Sequence, residues 1–361
     1  MKKGFTLVEL LTVLLVLAAI GLITIPIVNK SINQGKEGAL QETISNIEHA
    51  ALTYSIEHQL DMDVNYNALT LDELKNKGYL ENEDIINPVT NEIMTGCVLY
   101  KWENNQYNFK YSDDCKEAIS YNAGDLLEIE VGNNEKHNFY VLKDNGSTLT
   151  LIMDRNLGDN VALLTQEDIQ SYIEDNNIDT SSFTEDEIFE LYNDIGPVTA
   201  SNYLNSLTTN WKNIKEKRLP TLTEIFEQTI WYQGLTKTEK DNLETTYLNK
   251  IMSIVTDNEE LFMCESNAEC RLGFTNAGYG DLLLPTWLDI NLYTSGDDYE
   301  GYWINGFMST QLSNAFFVYY FGLVNGGDMS SNIAVRPVIT INKSYVIDKL
   351  EAPVYVDEIN N

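Results

Sequence analysis

From Leu10 to Val28 the chain carries no charged side chain, and this run constrains the fold more than any other stretch. At about 1.5 Å of rise per residue it is long enough to cross a bilayer core as a helix. Lys2 and Lys3 precede it, which favours a cytoplasmic N-terminus. The run therefore predicts a single-pass membrane protein, membrane-embedded over 5–28, with its bulk extracellular. A secretory signal peptide or a plain anchor shares this broad pattern. No convincing A-x-A cleavage site follows, although the small residues between Leu17 and Gly21 keep the signal-peptide reading open. Glu9 is the unusual member. A carboxylate at the start of an apolar helix costs on the order of 3 kcal/mol in lipid unless it finds a partner, so it asks for a function.

Pro26 lies within the apolar stretch, removes one backbone donor and predicts a kink or local unwinding. Beyond it Leu40, Ile44, Ile47, Ala51 and Tyr54 recur at helical spacing, one face of an amphipathic helix. The two patterns together predict one long helix over 5–59 whose second half packs against a globular head. Gly35 and Gly38 weaken it by about 1 kcal/mol each relative to alanine and mark a candidate bend. His49 and His58 have no clustered partner and read as ordinary helix residues.

The segment Lys3, Gly4, Phe5, Thr6, Leu7, Val8 and Glu9 resembles the signal of type IV prepilins and pseudopilins, a short basic leader ending in glycine before Phe-Thr-Leu-hydrophobic-Glu. The resemblance implies a leader over 1–4, cleavage between Gly4 and Phe5 by a prepilin peptidase, and methylation of the new amino group of Phe5. It also implies that Glu9 meets the N-terminal amine of a neighbouring subunit. Pairing two charges in an apolar filament core offsets their desolvation. Other pilin subunits, met through this helix, and the membrane are the implied partners. Pilin helices often carry a proline like Pro26.

A small head is expected over 60–118. Thr70 to Tyr79 carries a short helix signal, and Gly96 to Cys115 reads as a hairpin. With Asn104 and Asn105 at the turn centre, Trp102 faces Tyr107, Tyr100 faces Phe109, and Val98 faces Tyr111. Cys97 and Cys115 flank this ribbon and are placed to close it with a disulfide; a metal pair would lack a third Cys or a nearby His. Cys264 and Cys270 form a second close pair. Four cysteines in two local pairs suit an oxidising setting.

Near Ile119 the composition shifts and a second domain begins, expected over 119–350 with a tail at 351–361. Phe139 to Leu151 alternates around Asp144, Asn145 and Gly146, a hairpin signal. Between Gln166 and Asp194 carboxylates are dense and Lys and Arg are absent; Thr184 and Glu187 have capping-box spacing there. This reads as solvated amphipathic helices, with calcium as a lesser alternative. Then come Arg218, Leu219, Pro220, Thr221 and Glu224, later Trp303 within Gly301 to Ile304, and finally Arg336 and Pro337. This order resembles the C-type-lectin-like and formylglycine-generating-enzyme-like fold. The whole chain is therefore expected to be α+β: a long transmembrane and amphipathic pilin helix, a small β head, and a lectin-like domain with helical insertions. Pro220 and Thr221 suit a helix entry, with Thr221 or Thr223 as cap. Arg336, if buried, needs a carboxylate or carbonyl partner, and Glu224 is the expected one.

The 361 residues include 55 Asp plus Glu against 23 Lys plus Arg, a formal charge of −32. Such a surface repels phosphate backbones, so nucleic acid is not an expected partner. No catalytic residue is assigned: there is no HExxH, no phosphate-cradling glycine loop, no zinc set, and His137 is the second domain's only histidine. The expectation is a non-enzyme. The stretch from Asp289 to Tyr320 is rich in Tyr, Trp, Asn, Ser and Gly, suited to recognising a glycan or a protein, although its aromatic residues serve a core equally well. Asp297, Asp298, Glu300 and Asp328 are candidate calcium ligands; no other cofactor is expected. The reading as a whole is a minor pilin or pilin-like subunit of a type IV pilus or type II secretion-like filament, displaying an extracellular binding or adhesion domain. A non-polymerising membrane-anchored receptor and a secretion or competence pseudopilin are the alternatives.

Overall fold

The computed structural model describes residues 7–58, 60, 66–262, 267–289, 301–319 and 321–351. The chain divides into two compact units, Met1–Ile119 and Ser120–Asn361. Both combine helices with sheets, an α+β composition.

The first unit holds α1 (Leu7–Glu57), β1 (Asn67–Thr70), α2 (Leu71–Asn76), β2 (Cys97–Glu103) and β3 (Gln106–Ser112). Its antiparallel sheet runs in the order β1-β2-β3. Asn104 and Asn105 take φ of 53° and 61°, the left-handed pair that a two-residue hairpin turn requires, and asparagine tolerates this better than other side chains. That turn fixes the register, so Trp102 stands opposite Tyr107, Tyr100 opposite Phe109, and Val98 opposite Tyr111. Ile47 and Ala51 of α1 are buried with Leu69, Leu74, Val98 and Tyr100. A disulfide joins Cys97 to Cys115 at a Cα separation of 5.7 Å.

The transmembrane part of the expected architecture is corrected here, and with it the single-pass membrane placement. Among the described residues no helix is long and apolar enough to cross a membrane. A span needs about 20 consecutive apolar residues. Where the side chains of α1 are continuously described, the exposed positions include Lys30, Ser31, Asn33, Gln34 and Glu37. These positions follow the expected 5–28 segment directly, so the apolar stretch cannot be lengthened in that direction without desolvating them. The helical backbone is also continuous across Pro26, so the local unwinding expected there is not seen.

The second unit begins with β4 (Leu126–Gly132), β5 (Glu135–Asp144), β6 (Thr148–Met153) and β7 (Leu157–Val161). Three helices follow, α3 (Gln166–Asp175), α4 (Glu185–Ile195) and α5 (Val198–Leu207), then β8 (Ile214–Arg218). Next are α6 (Leu222–Phe226), α7 (Ile230–Gly234), α8 (Lys237–Asp241), α9 (Leu243–Asp257) and α10 (Asn267–Asn276). The chain closes with β9 (Tyr302–Phe307), β10 (Asn314–Val318), β11 (Val324–Asp328), β12 (Ile333–Val335), β13 (Val338–Asn342) and β14 (Val346–Leu350).

Two sheets organise this unit. One has six strands in the order β14-β4-β5-β6-β13-β8, the other five in the order β11-β10-β9-β12-β7. Period-2 alternation buries both faces of the six-stranded sheet. Leu127, Phe139, Val141, Leu151 and Ile339 form one cluster with Tyr121 and Trp211. Their alternates Leu126, Tyr140, Ile152 and Val338 join Phe226, Tyr247, Phe274, Tyr302 and Phe316 in the central core. The five-stranded sheet is likewise shared. Tyr302, Ile304, Phe316 and Val318 point to the central core, while Trp303, Phe307 and Ala315 pack with residues of α3 and α5. A Cβ at Gly301 would collide with the carbonyl of Val318, so only glycine lets β9 start this close to β10.

Candidate functional site

Each unit carries one notable surface. In the first unit α1 has two unlike halves. Its C-terminal half is anchored, with Ile47 and Ala51 almost fully buried. Its N-terminal half presents Leu10, Leu11, Leu14, Leu15, Val28 and Ile32, each 51–64% exposed. The spacings 10/14, 11/15 and 28/32 are i, i+4, so each pair lies on one helix face. Large apolar side chains exposed at helical spacing form an apolar stripe that is costly to leave in water. Glu9 lies near the start of this helix and Pro26 inside it. Gly4 and Phe5, the expected processing site, lie outside the described residues.

The six motif residues of the second unit are structural ties. Arg218 donates to both oxygens of Glu224, Nη1 to Oε2 at 2.7 Å and Nη2 to Oε1 at 2.6 Å. Thr221 caps α6: its hydroxyl accepts from the Glu224 N–H at 3.3 Å, and its own N–H donates to Glu224 Oε2 at 2.9 Å. Burial pushes the Glu224 carboxyl up, but the bonds from Arg218 and Thr221 outweigh it and hold the group below the usual carboxylate range. The carboxylate in turn holds the Arg218 guanidinium above its ordinary value. The Pro220 carbonyl accepts from the Asn305 N–H at 2.8 Å, tying the α6 entry to β9.

Arg336 does not meet Glu224. It is fully buried and donates to three carbonyls, Met153 at 2.7 Å, Leu288 at 2.7 Å and Trp287 at 3.0 Å, with its guanidinium 5.1 Å from the Tyr302 ring centre. Register explains the difference. β13 pairs with β8 so that Val338 faces Arg218, which puts Arg218 at the start of α6 and leaves Arg336 in the link between β12 and β13. Burial pushes the Tyr302 phenol up to about 12, and Arg336 moderates the rise. The Pro337 carbonyl accepts from the Met153 N–H at 2.9 Å, and the buried Trp303 indole donates to the Val161 carbonyl at 2.8 Å.

The remaining candidates do not converge on one centre. Asp328 is exposed, and its carboxylate accepts from the Ser330 hydroxyl and N–H at 2.6 and 2.8 Å; these bonds hold it below the usual range. Its proposed calcium partners Asp297, Asp298 and Glu300 lie outside the described residues. Among the described residues no group of three or more His, Cys, Asp or Glu is arranged to hold a metal ion. Cys270 is disulfide-bonded, while Cys264 lies outside the described residues. His137 contacts Glu135 at 2.7 Å and stands beside the Trp211 ring.

Two features escaped the sequence reading. Lys343, 3% exposed, pairs with Asp144 at 2.8 Å. The isolated lysine after β13 carries no local signal for this, because its partner is the last residue of β5, far away in sequence. The other is a cleft of about 880 Å3, with a wall on α10, Ile230 at the start of α7, and residues 283–287 along its side. It is the second surface of interest. No family model, curated protein or solved structure matches the chain.

Proposed function

We propose that the protein is a pilin-like filament subunit, whose α1 packs against the helices of neighbouring subunits and whose second unit is displayed as a binding domain. The observation that carries this reading is the division of α1. One half is built into the first unit's core, and the other offers Leu10, Leu11, Leu14 and Leu15 to a partner. A helix fixed at one end and apolar at the other is what a shared helical core needs from each member. The Gly4 to Glu9 signature supports the same reading and makes a prepilin peptidase the processing partner. The order of Arg218, Pro220, Glu224, Trp303, Arg336 and Pro337, resembling lectin-like scaffolds, supports a binding rather than a catalytic role for the second unit.

The deciding measurement is the intact mass and N-terminal peptide of the native protein recovered from cells and from sheared filaments. The reading expects a chain that begins at methylated Phe5 and is present in the filament fraction. An intact Met1 start, with no material in that fraction, overturns it.

A further inference from the structure

We propose that Asn325 is a self-modifying residue: the Gly326 backbone nitrogen attacks its carboxamide, and position 325 passes through a succinimide to an aspartyl or isoaspartyl residue. The chain holds Asn-Gly pairs at 145, 305 and 325, and all three asparagines are exposed, so exposure does not choose among them. Geometry does. The Gly326 N–H donates to Oδ1 of Asn325 at 2.9 Å, which sets the attacking nitrogen beside the group it attacks, one bond from the carbon that closes the ring. That N–H also lies outside the sheet's ladder. The Tyr319 N–H donates to the Leu323 carbonyl at 2.7 Å and the Met329 N–H to the Ser313 carbonyl at 2.8 Å. In this antiparallel register, residues 323, 325, 327 and 329 therefore bond to β10, while 324 and 326 face away from it. β11 ends the five-stranded sheet, so among the described residues no further strand competes for the Gly326 N–H. Packing keeps the glycine in place, because a Cβ at Gly326 would collide with Sδ of Met308.

The other two pairs are held back. The Gly146 N–H donates to the Asp144 carboxylate at 2.9 Å, and the Asn145 amide donates to the Thr150 hydroxyl at 3.0 Å, so both reacting groups are tied elsewhere. Asn305 belongs to β9, an interior strand between β10 and β12, and its own N–H is fixed on the Pro220 carbonyl at 2.8 Å. At Asn325 the Gly326 nitrogen gives its proton to solvent base and bonds Cγ; the Cγ–Nδ2 bond breaks and ammonia leaves. Water then opens the ring at either carbonyl, with nothing oxidised or reduced, and a neutral side chain becomes a carboxylate. Opening at the main-chain carbonyl leaves the isoaspartyl form, whose backbone runs through the former side chain and is one methylene longer. That extra length breaks the pairing of position 325 with Phe317 and shifts Val324, whose carbonyl accepts from the buried Tyr247 hydroxyl at 2.6 Å. The site stands independently of whether α1 enters a filament.

The test is peptide mass spectrometry of the freshly purified full-length protein held folded at mildly alkaline pH in water enriched in oxygen-18. The peptide containing Asn325 should lose ammonia and take up one heavy oxygen, with the isoaspartyl product in excess. It should do so at least tenfold faster than the peptides containing Asn145 and Asn305. In urea, where the fold no longer distinguishes them, the three rates should converge. Asn325→Gln lengthens the side chain by one methylene and disfavours the ring, so this variant should keep its starting melting midpoint through the incubation while that of the wild type falls. Equal rates at the three pairs in the folded protein would overturn the proposal. So would a rate at Asn325 that is tenfold below that of a free Leu-Val-Asn-Gly-Gly-Asp peptide, because the strand would then protect the pair. A midpoint that falls equally in wild type and Asn325→Gln would also overturn it, by placing the ageing elsewhere.

Discussion

Arg218 and Glu224 face each other across the entry to α6 in a forked ion pair, two parallel bonds of 2.7 and 2.6 Å that also lock the Thr221 cap in place. Planar, bidentate pairing of this kind is stronger than a neutral hydrogen bond and more selective in direction. It fastens β8 to α6, and through Pro220 to β9.

Because the Glu224 carboxyl is held below its ordinary range in the folded state, the unfolded chain takes up its proton first as pH falls. The stabilisation is therefore complete above the ordinary carboxylate range and is lost as pH drops through the lowered folded value. Glu224→Gln should cost about 1–3 kcal/mol at pH 7. It should cost progressively less toward pH 3, seen as converging melting midpoints of the two proteins in scans across that range.

Arg336→Met should be more damaging than Arg336→Lys, although both remove the fork. Methionine leaves the carbonyls of Met153, Trp287 and Leu288 buried without a donor, at about 1–3 kcal/mol for each group not reached by water. Lysine can satisfy part of this set. Urea unfolding of the two variants should show the midpoint falling in the order wild type, lysine, methionine.

Opening the Cys97–Cys115 link should lower the stability of the first unit by about 3 kcal/mol, the chain-entropy value for a loop this short. Cys97→Ser with Cys115→Ser in the full chain opens the link. Hydrogen exchange of the full chain reports β2 and β3 directly, and their protection should fall while that of β5 and β6 stays unchanged.

Substitutions along α1 should separate anchoring from display. Ile47→Ala removes a core side chain that is 1% exposed and should cost about 2–5 kcal/mol. Leu14→Ser with Leu15→Ser removes exposed groups and should leave the melting midpoint within about 2 °C of wild type. The second variant, not the first, should drop out of the sheared-filament fraction while remaining folded.

Local chemistry was the legible part of the sequence. The Asn104–Asn105 turn announces itself because few side chains accept two successive positive φ values, and once it is placed the alternation of Val98, Tyr100 and Trp102 sets the register. The capping boxes at Thr184 and Thr221 are equally local, since each is a reciprocal arrangement within four residues. Arg336 shows where this ends. That it needs partners follows from its apolar neighbours, but three backbone carbonyls, two of them in the segment before the 289 position, carry no side-chain signature. The cleft was hidden for a similar reason: the exposed face of α10 mixes Ala268, Glu269, Leu272 and Thr275, which reads as an ordinary solvent face until Ile230 and Trp287 are brought opposite it. The uncharged run before Val28 reported apolarity without reporting what would cover it.

The sulfur link in the first unit also sets how tension travels along the polypeptide. A pull arriving at residue 119 would otherwise peel β3, an edge strand, one hydrogen bond at a time. Cys115 intercepts that pull and hands it covalently to Cys97 at the head of β2, the middle strand, which is held on both sides. Force then reaches two strand pairings rather than one, and the disulfide acts as a mechanical shunt that spares the edge of the sheet.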